Sequence, residues 1–305
     1  MPYRYVVADV FTRHAYGGNP LAVVLDAQGL DAAQMQRIAR EFNFSETSFV
    51  LPARDPAHTA EVRIFTPDRE VPFAGHPNVG TAVVLARELA ASGRPVPDAF
   101  VFEEAAGLVR IALRREGADV NGAELQAPQP LSRRALAPVD AVARALRLAP
   151  GDIETAEHAP QVVSVGLTFL VVQLASRVAL RRASPNPAGY AALLPLDDAR
   201  SIYAYTTDTA ADTGQGPTDI QARMFTGRMT EDPATGSATA AATALRAALR
   251  GAGTTLRLRV GQGVDMGRAS LLHAHAEVRQ DGVWAGVAGN AVVVMEGTLV
   301  APAAS

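Results

Sequence analysis

The sequence contains no cysteine. Disulfides, thiolate nucleophiles, zinc fingers and iron–sulfur clusters are therefore excluded together, because each of them needs a thiol. Any catalysis must use carboxylates, imidazoles, hydroxyls and backbone amides of the chain itself, or a bound cofactor.

An excess of positive charge is also missing. The chain has 28 basic against 31 acidic residues, a formal net charge of -3, which gives no basic field to hold a phosphate backbone. We therefore expect no nucleic-acid partner. No glycine-rich nucleotide fingerprint follows a predicted strand, so we expect no NAD, flavin or ATP and predict a protein without a cofactor.

Long apolar runs are missing too. The best candidate, Val162–Leu174, is interrupted by four polar or glycine residues, whereas a membrane helix needs about 20 apolar residues. The N-terminus has neither the apolar core nor the cleavage site of a secretory signal. We expect a cytoplasmic protein that does not contact membranes. His273 and His275 share one face of a predicted strand, but without nearby carboxylate clusters we predict no metal.

What remains is a globular chain of 305 residues, 48% hydrophobic and 19% charged, long enough for two domains. Strand signals dominate, with few helices and no regular βαβ rhythm, so we predict an α+β fold with mainly antiparallel pairing. We predict a helix that Asp31 caps, a helix over Asn78–Leu89 and a strong helix over Thr235–Arg250. Val162–Leu174 is predicted as one buried strand, and Pro128–Pro138 as a linker.

The chain also repeats itself. The tetrapeptide at 63–66 (RIFT) resembles that at 223–226 (RMFT), and 76–82 (HPNVGTA) aligns without gaps to 232–238 (DPATGSA). Both copies have the order strand, loop, helix. A period this long indicates two duplicated globular units and no solenoid, whose repeats are about 20–50 residues.

Each repeat brings small residues to the predicted start of a helix. Free backbone N–H groups and the positive end of the helix dipole make such a start an anion site. We expect the substrate to bind at Gly80, Thr81, Gly236 and Ser237. The alternative is that these residues only allow tight packing of a helix start.

Three titratable residues are candidates for catalysis. His76 and Asp232 occupy matching positions in the alignment and could form an acid–base or orienting pair; alternatively, Asp232 caps a helix and His76 is structural. Glu46 lies between hydroxyl residues at a helix-to-strand junction, where partial burial raises the pKa of a carboxyl. The alternative is a surface glutamate or one paired to an arginine.

Five linked motifs resemble the phenazine biosynthesis PhzF-like family. They are GNPLAV at 18–23, NFSET at 43–47, RIFTP at 63–67 leading to PFAGHP at 72–77, EDPATGSA at 231–238, and QG at 262–263 with MGR at 266–268. They occur in family order, and the resemblance extends from about residue 8 to about residue 297. Asn78 departs from it, since the family commonly has threonine there.

The resemblance implies a diaminopimelate-epimerase-like fold of two halves, each a β-barrel-like sheet around a central helix, with the active site between them. We expect one domain over 1–127, completed by about 288–305, and a second over 128–287. The resemblance further implies that Glu46 shuttles the proton, assisted by His76, Asp232, Ser237 and the backbone of Gly75. We include Ser45, beside Glu46, among the substrate-binding residues. Family members are often homodimers.

The namesake enzyme of the family isomerises trans-2,3-dihydro-3-hydroxyanthranilate by a hydrogen shift around the ring. Related epimerases invert a carbon with two thiols, which is impossible here. One carboxylate with one imidazole suits a 1,3- or 1,5-type hydrogen shift on a small carboxylate-bearing substrate. Two alternatives stay open: a non-catalytic carboxylate-binding protein of the same fold, and a serine hydrolase that uses Ser237 with His76 and Asp232, although the chain lacks the G-x-S-x-G elbow there.

Overall fold

The chain folds into two compact units. The computed structural model describes residues 2–209 and 216–302. One unit comprises Met1–Leu125 with Ala288–Ser305, and the other comprises Gln126–Val287. These bounds lie within two residues of those drawn from the sequence.

The first unit is built mainly of strands, with two helices. Its elements are β1 (Pro2–Val10), β2 (Asn19–Val24), α1 (Ala32–Phe42), β3 (Glu46–Leu51), β4 (Ala60–Phe65), β5 (Glu70–Val71), α2 (Gly75–Ala91), β6 (Ala99–Glu104), β7 (Gly107–Glu116) and β8 (Asp119–Gln126). The second unit has β9 (Ser132–Leu136), α3 (Val139–Ala145), β10 (Gln161–Ser164), β11 (Thr168–Gln173), α4 (Arg177–Arg182), α5 (Pro187–Leu193), β12 (Ile202–Thr206), β13 (Ile220–Phe225), β14 (Glu231–Asp232), α6 (Gly236–Ala248), β15 (Thr255–Gln262) and β16 (Ser270–Arg279). The last strand, β17 (Gly282–Val300), begins in the second unit and ends in the first.

Eight strands of the first unit close into a barrel. In barrel order they are β1, β2, β3, β4, β6, β7, β8 and β17, and β17 pairs back to β1. The β2–β3 and β4–β6 pairs are parallel, and the other pairs given with a register are antiparallel. Closure leaves no open sheet edge.

The barrel is filled by α2, whose residues from Gly75 to Val84 are all buried. Gly80 lets this helix approach the wall, because a Cβ there would lie 2.6 Å from Leu21 Cδ2 and 2.7 Å from Val10 Cγ2. Helix α1 covers the outer face and buries Met35 and Ile38 against Phe49 of β3. As predicted, Asp31 caps α1: its carboxylate accepts the N–H of Gln34 at 2.7 Å, and the Gln34 side chain accepts the N–H of Asp31 at 3.0 Å.

The second unit repeats this arrangement around α6, which is also almost wholly buried. In β11, β12, β13, β14, β15 and β16 the order of pairings, parallel pairs included, matches that of β2, β3, β4, β5, β6 and β7. The prediction of two pseudo-symmetric domains, each a largely antiparallel barrel-like sheet around a central helix, is confirmed.

The matched tetrapeptides lie at equivalent places in the two units. Arg63 forms a bidentate ion pair with Glu70 and lies over the Phe65 ring, 5.2 Å from its centroid. Arg223 does the same with Glu231 and with Phe225, at 4.8 Å. The repeated sequence therefore encodes a repeated ion pair and a repeated cation–π contact on the outer face of the strand.

The second half of the alignment is wrong by five residues. In each unit three residues separate a two-residue strand from the helix, so α2 begins at Gly75 and α6 at Gly236. The counterpart of His76 is Ser237, and the counterpart of Asp232 is Val71. The sequence prediction placed the helix start after Pro77, but proline is tolerated in a first turn, where its missing N–H would have no partner anyway.

Three other expectations need correction. The predicted single strand Val162–Leu174 is a hairpin of β10 and β11, because Gly166 turns the chain with a φ of +138°. The predicted linker Pro128–Pro138 contains β9, and the short helices α4 and α5 had no clear sequence signal. Within the described part of the chain, no helix is both long and apolar enough to cross a membrane.

We predict that Gly80→Ala lowers the free energy of unfolding by about 1–3 kcal/mol, because the new methyl group overpacks the contact of α2 with Leu21 and Val10. Alanine would otherwise favour the helix. Urea unfolding measures the change. Gly151→Ala is the control, since nothing lies within 4 Å of a Cβ at that position, and it should change stability by less than about 0.5 kcal/mol. Unchanged stability in Gly80→Ala would contradict the packing role.

Candidate active site

Glu46 begins strand β3 and lies on its inner face. Side chains alternate along a strand, and Phe49 packs outward in the apolar cluster with α1. Thr47 therefore shares the outer face, whereas Glu46 and Ser48 face α2. The Glu46 side chain is 21% exposed, and its Oε2 lies 3.5 Å from Nδ1 of His76. Ser45 precedes Glu46 and is partly buried.

His76 is the second residue of α2 and is almost fully buried, with 5% of its surface exposed. Burial lowers the pKa of His76 to about 3, so the ring is neutral at neutral pH. The Asn19 side-chain Nδ2 lies 3.5 Å from Nδ1, and because an amide nitrogen only donates, we assign Nδ1 as the acceptor and the proton to Nε2. Nε2 has no hydrogen-bond partner among the described residues.

A neutral imidazole matters for the chemistry of Glu46. An imidazolium would form an ion pair with the carboxylate and make it a weaker base. The neutral ring instead offers a lone pair at Nδ1, which can accept a hydrogen bond whenever Glu46 carries a proton. The pair is therefore suited to hold and release one proton.

The start of α2 is open to an anion. Its N-cap residue, Ala74, makes no side-chain capping bond, and its first turn contains no acidic residue. The first N–H groups of a helix have no acceptor within it, and the helix dipole favours negative charge there. Gly75 and His76 thus present backbone donors next to Glu46.

Gly80 and Thr81 do not lie at this helix start, which corrects the prediction made from the sequence. They belong to the second turn of α2, where backbone N–H groups bond within the helix. Both residues are buried. The contacts of Gly80 with the barrel wall explain why glycine stands there, so we no longer assign these two residues to substrate binding.

Asp232 lies just before α6 in the second unit. It is not the N-cap of that helix: Thr235 is, and Asp232 accepts a hydrogen bond from the Thr235 hydroxyl. As in α2, the N-cap makes no side-chain capping bond and the first turn has no acidic residue, so Gly236 and Ser237 form a second open helix start.

The QG motif at 262–263 holds the loop that carries Asp232. Gln262 donates to the Asp232 carbonyl at 2.9 Å and accepts the N–H of Thr235 at 3.1 Å. Gly263 has a φ of +72°, and a Cβ there would lie 2.6 Å from the Pro233 carbonyl oxygen. The motif therefore acts structurally, by fixing the approach to α6.

The structure thus brings together Glu46, His76 and Gly75 in the first unit, and Asp232, Gly236 and Ser237 in the second. The sequence did not predict the contact of Asn19 with His76, although Asn19 lies in the GNPLAV motif at 18–23. Among residues 2–209 and 216–302, no three side chains of the kinds that ligate metals are grouped as a metal site.

Two units, each a barrel-like sheet around a helix, with a carboxylate and an imidazole at one open helix start, are the features of an isomerase of the epimerase-like fold class. Relatives of known sequence are named as isomerases. An uncharacterised isomerase of Mesorhizobium japonicum is 39% identical over 97% of this chain and 98% of its own length. Trans-2,3-dihydro-3-hydroxyanthranilate isomerase of Pseudomonas chlororaphis is 36% identical over 98% and 99%.

The family model described as phenazine biosynthesis-like protein (PhzC-PhzF) matches residues 8–297. The chain belongs to this family. A solved phenazine biosynthesis protein of the PhzF family from Bacillus anthracis has the same fold, with a TM-score of 0.86 and 24% identity over 98% of this chain and 99% of that one.

We predict that His76 stays neutral, with its proton on Nε2, from pH 8 down to about pH 4, because burial lowers its pKa to about 3. Long-range proton–nitrogen NMR correlation of the histidine rings reports both tautomer and charge, and His76→Asn identifies the signal. The spectrum of an imidazolium at pH 6 would contradict this assignment.

Proposed function

We propose that this isomerase moves a proton on a small carboxylate-bearing substrate, with Glu46 as the general acid/base and without a cofactor. The observation that carries the proposal is the contact of Glu46 with neutral His76 at the uncapped start of α2. It combines a group that can carry a proton with donors that can stabilise negative charge.

The reaction runs in two balanced steps. Glu46, as a carboxylate, takes a proton from a carbon conjugated to the substrate carboxylate, and the electron pair of that C–H bond delocalises into the conjugated system. Glu46, whose side chain is 21% exposed, then returns a proton to another carbon of the system, either the one it took or one exchanged with water, so that the substrate loses one proton and gains one. The donors at Gly75 and His76 stabilise the intermediate anion. General acid–base catalysis contributes about 10²–10⁴-fold, and a pre-organised donor about 10²–10³-fold.

A single carboxylate favours a hydrogen shift over racemisation. Inversion of a carbon by two bases needs one base on each face, and the two thiols of related epimerases have no counterpart in a chain without cysteine. One carboxylate that removes a proton and returns it acts on one face only. We therefore propose a 1,3- or 1,5-type shift.

We assign the residues at the start of α6 a supporting part in the same reaction. Asp232 accepts a hydrogen bond from the Thr235 hydroxyl and can orient a hydroxyl or amine of the substrate. Ser237 and the backbone of Gly236 supply donors for negative charge, and Ser45 is a further substrate contact beside Glu46.

The substrate we propose is trans-2,3-dihydro-3-hydroxyanthranilate or a close analogue. The support is the name of the Pseudomonas chlororaphis relative at 36% identity over almost the whole chain. This compound has a carboxylate and a conjugated ring, which the mechanism needs. The homodimer expected from the resemblance stays a prediction.

We predict that Glu46→Gln abolishes conversion of trans-2,3-dihydro-3-hydroxyanthranilate and its deuterium incorporation in heavy water, because an amide cannot take up the proton. Turnover should fall at least about 10²-fold. Mass spectrometry of the product measures both. Glu41→Gln, at an exposed position on α1, is the control for the loss of a carboxylate.

Normal exchange and conversion by Glu46→Gln would disprove the assignment. If the unmodified protein binds the compound without turnover or exchange, the non-catalytic carboxylate-binding alternative replaces the isomerase mechanism. Labelling of Ser237 by a serine-directed phosphonate would instead support the hydrolase.

We predict that His76→Ala and Asp232→Ala each lower turnover by about 10-fold or more without unfolding the protein, because both residues lie at open helix starts. The loss of His76 removes the partner of Glu46, and the loss of Asp232 removes the acceptor of the Thr235 hydroxyl. Turnover and melting temperature are measured side by side. A large drop in melting temperature with unchanged turnover would show that the residue is structural.

A further inference from the structure

Glu104 ends strand β6 and points towards the interior of the first barrel. The buried rings of Phe100 and Phe102 are stacked along this strand, with centroids 6.1 Å apart. Because side chains alternate, Glu104 shares their face and Glu103 takes the opposite one. Glu104 is only 6% exposed, and neither of its carboxyl oxygens has a hydrogen-bond partner of ordinary geometry among the described residues.

Asn78 of α2 lies beside this carboxyl. Its side chain is fully buried, and its Nδ2 donates to the carbonyl of Ala74, the N-cap residue of α2, at 3.1 Å. An interaction with the Asn78 side chain lowers the pKa of the Glu104 carboxyl, although neither carboxyl oxygen makes a hydrogen bond of ordinary geometry among the described residues. Asn78 thus connects Glu104 to the start of α2.

A backbone hydrogen bond also links the end of β6 to the loop that leads into α2. The N–H of Ala106, in the turn after β6, donates to the carbonyl of Pro72 at 3.1 Å. Pro72 and Ala74 belong to the short loop that leads into α2. The end of β6 therefore holds this loop through one backbone bond and one side-chain contact.

The second unit shows what this position does. Glu104 and Gln262 are equivalent, because the strands before them pair in the same register: Ala60 with Phe102 in one unit, Ile220 with Val260 in the other. Gln262 holds the loop before α6 through three side-chain hydrogen bonds. A protonated glutamate is close to glutamine in shape and is likewise uncharged.

We propose that Glu104 is a positioning residue for the isomerase site, which holds the start of α2, and with it His76 and the first-turn N–H groups, through Asn78. This role rests on the function proposed above and adds a residue to it. Glu104 does not touch the substrate. It acts on the direction of the donors that do.

The charge of Glu104 determines how strongly the start of α2 binds an anion. Burial raises the pKa of Glu104 to about 8, and the contact with Asn78 offsets this only in part. Below that pH the carboxyl is neutral. Above it, Glu104 becomes a buried anion beneath a helix start that binds anions, and it repels a carboxylate ligand.

Within the described part of the chain, no opposite charge acts on Glu104. On α2, His76 is neutral, and on β3 the nearest titratable group, Glu46, has the wrong sign. Charged residues on the outer side of β4, β6 and β7 and in the loop between β3 and β4 are exposed or paired with one another: Arg54 with Glu61 and Glu103, His58 with Glu103, Arg63 with Glu70, and exposed Arg110. On α2, Arg87 pairs with Glu296 and Glu88 with Arg4.

The test is binding of anthranilate, an aromatic carboxylate with no proton to shift, measured by calorimetry from pH 6 to pH 9. Binding to the unmodified protein should weaken about tenfold between pH 7 and pH 9, because only the form with neutral Glu104 is competent. The affinity of Glu104→Gln for anthranilate should change by no more than about twofold over this range. Glu104→Leu, which lacks an acceptor for Asn78, should bind at least about tenfold more weakly at every pH.

Glu103→Gln is the matched control, since it changes the adjacent glutamate on the outer face, and it should keep the alkaline weakening. The same pH profiles are expected for kcat/KM with trans-2,3-dihydro-3-hydroxyanthranilate. An alkaline loss that persists in Glu104→Gln overturns the proposal, and so does a Glu104→Leu variant that binds as well as Glu104→Gln.

Melting curves separate this proposal from the proposed function. Between about pH 4.5 and 8 folded Glu104 keeps its proton while the unfolded chain releases it, so the unmodified protein loses stability as pH rises. The difference in melting temperature between Glu104→Gln and the unmodified protein should therefore increase in favour of the variant up to about pH 8. Above that pH the difference should stay constant. If anthranilate does not bind at all, the proposed function fails, and a flat difference in melting temperature overturns the Glu104 proposal by itself.

Discussion

The site depends on one feature: the two helices that fill the barrel-like sheets begin without a side-chain cap for their first N–H groups. Neither α2 nor α6 has a side-chain cap, whereas α1, on the outside, has a full capping box. Unpartnered donors are costly when buried, so the open starts are a retained feature. A bound anion would supply the missing acceptor at each start.

Much of the fold could be predicted because its signals are local. The capping residue of α1, the alanine-rich α6 and the repeated RIFT and RMFT strands all depend on neighbours in sequence. The misplaced start of α2 shows the limit. Pro77 was taken as a helix boundary, but the actual start is set by the two-residue strand β5, whose pairing with β4 no local pattern reveals. The hairpin of β10 and β11 was missed because both strands have apolar centres and only a short turn separates them.

The site was predicted in part. The motifs named Glu46 and His76, and the structure places them 3.5 Å apart, but the choice of Gly80 and Thr81 followed from the shifted helix. Asn19 and Glu104 could not be found from spacing, because β2, β6 and α2 meet only in the closed barrel. A weak signal existed for Glu104: two glutamates end a strand whose alternate residues are apolar, so one of them must face inward.

The path of the last strand has a consequence for the order of folding. Val300 pairs with Pro2, and Ala291 with Val10, so the first barrel is sealed by residues almost a whole chain length away. On the ribosome, every residue of the second unit emerges before that seal exists. The second unit can therefore fold completely before β17 pairs with β1 and β8 and closes the first barrel. This is the reverse of the usual order, in which the N-terminal domain folds first. Such distant pairing also favours slow closure, since long loops must be ordered before the final contacts form.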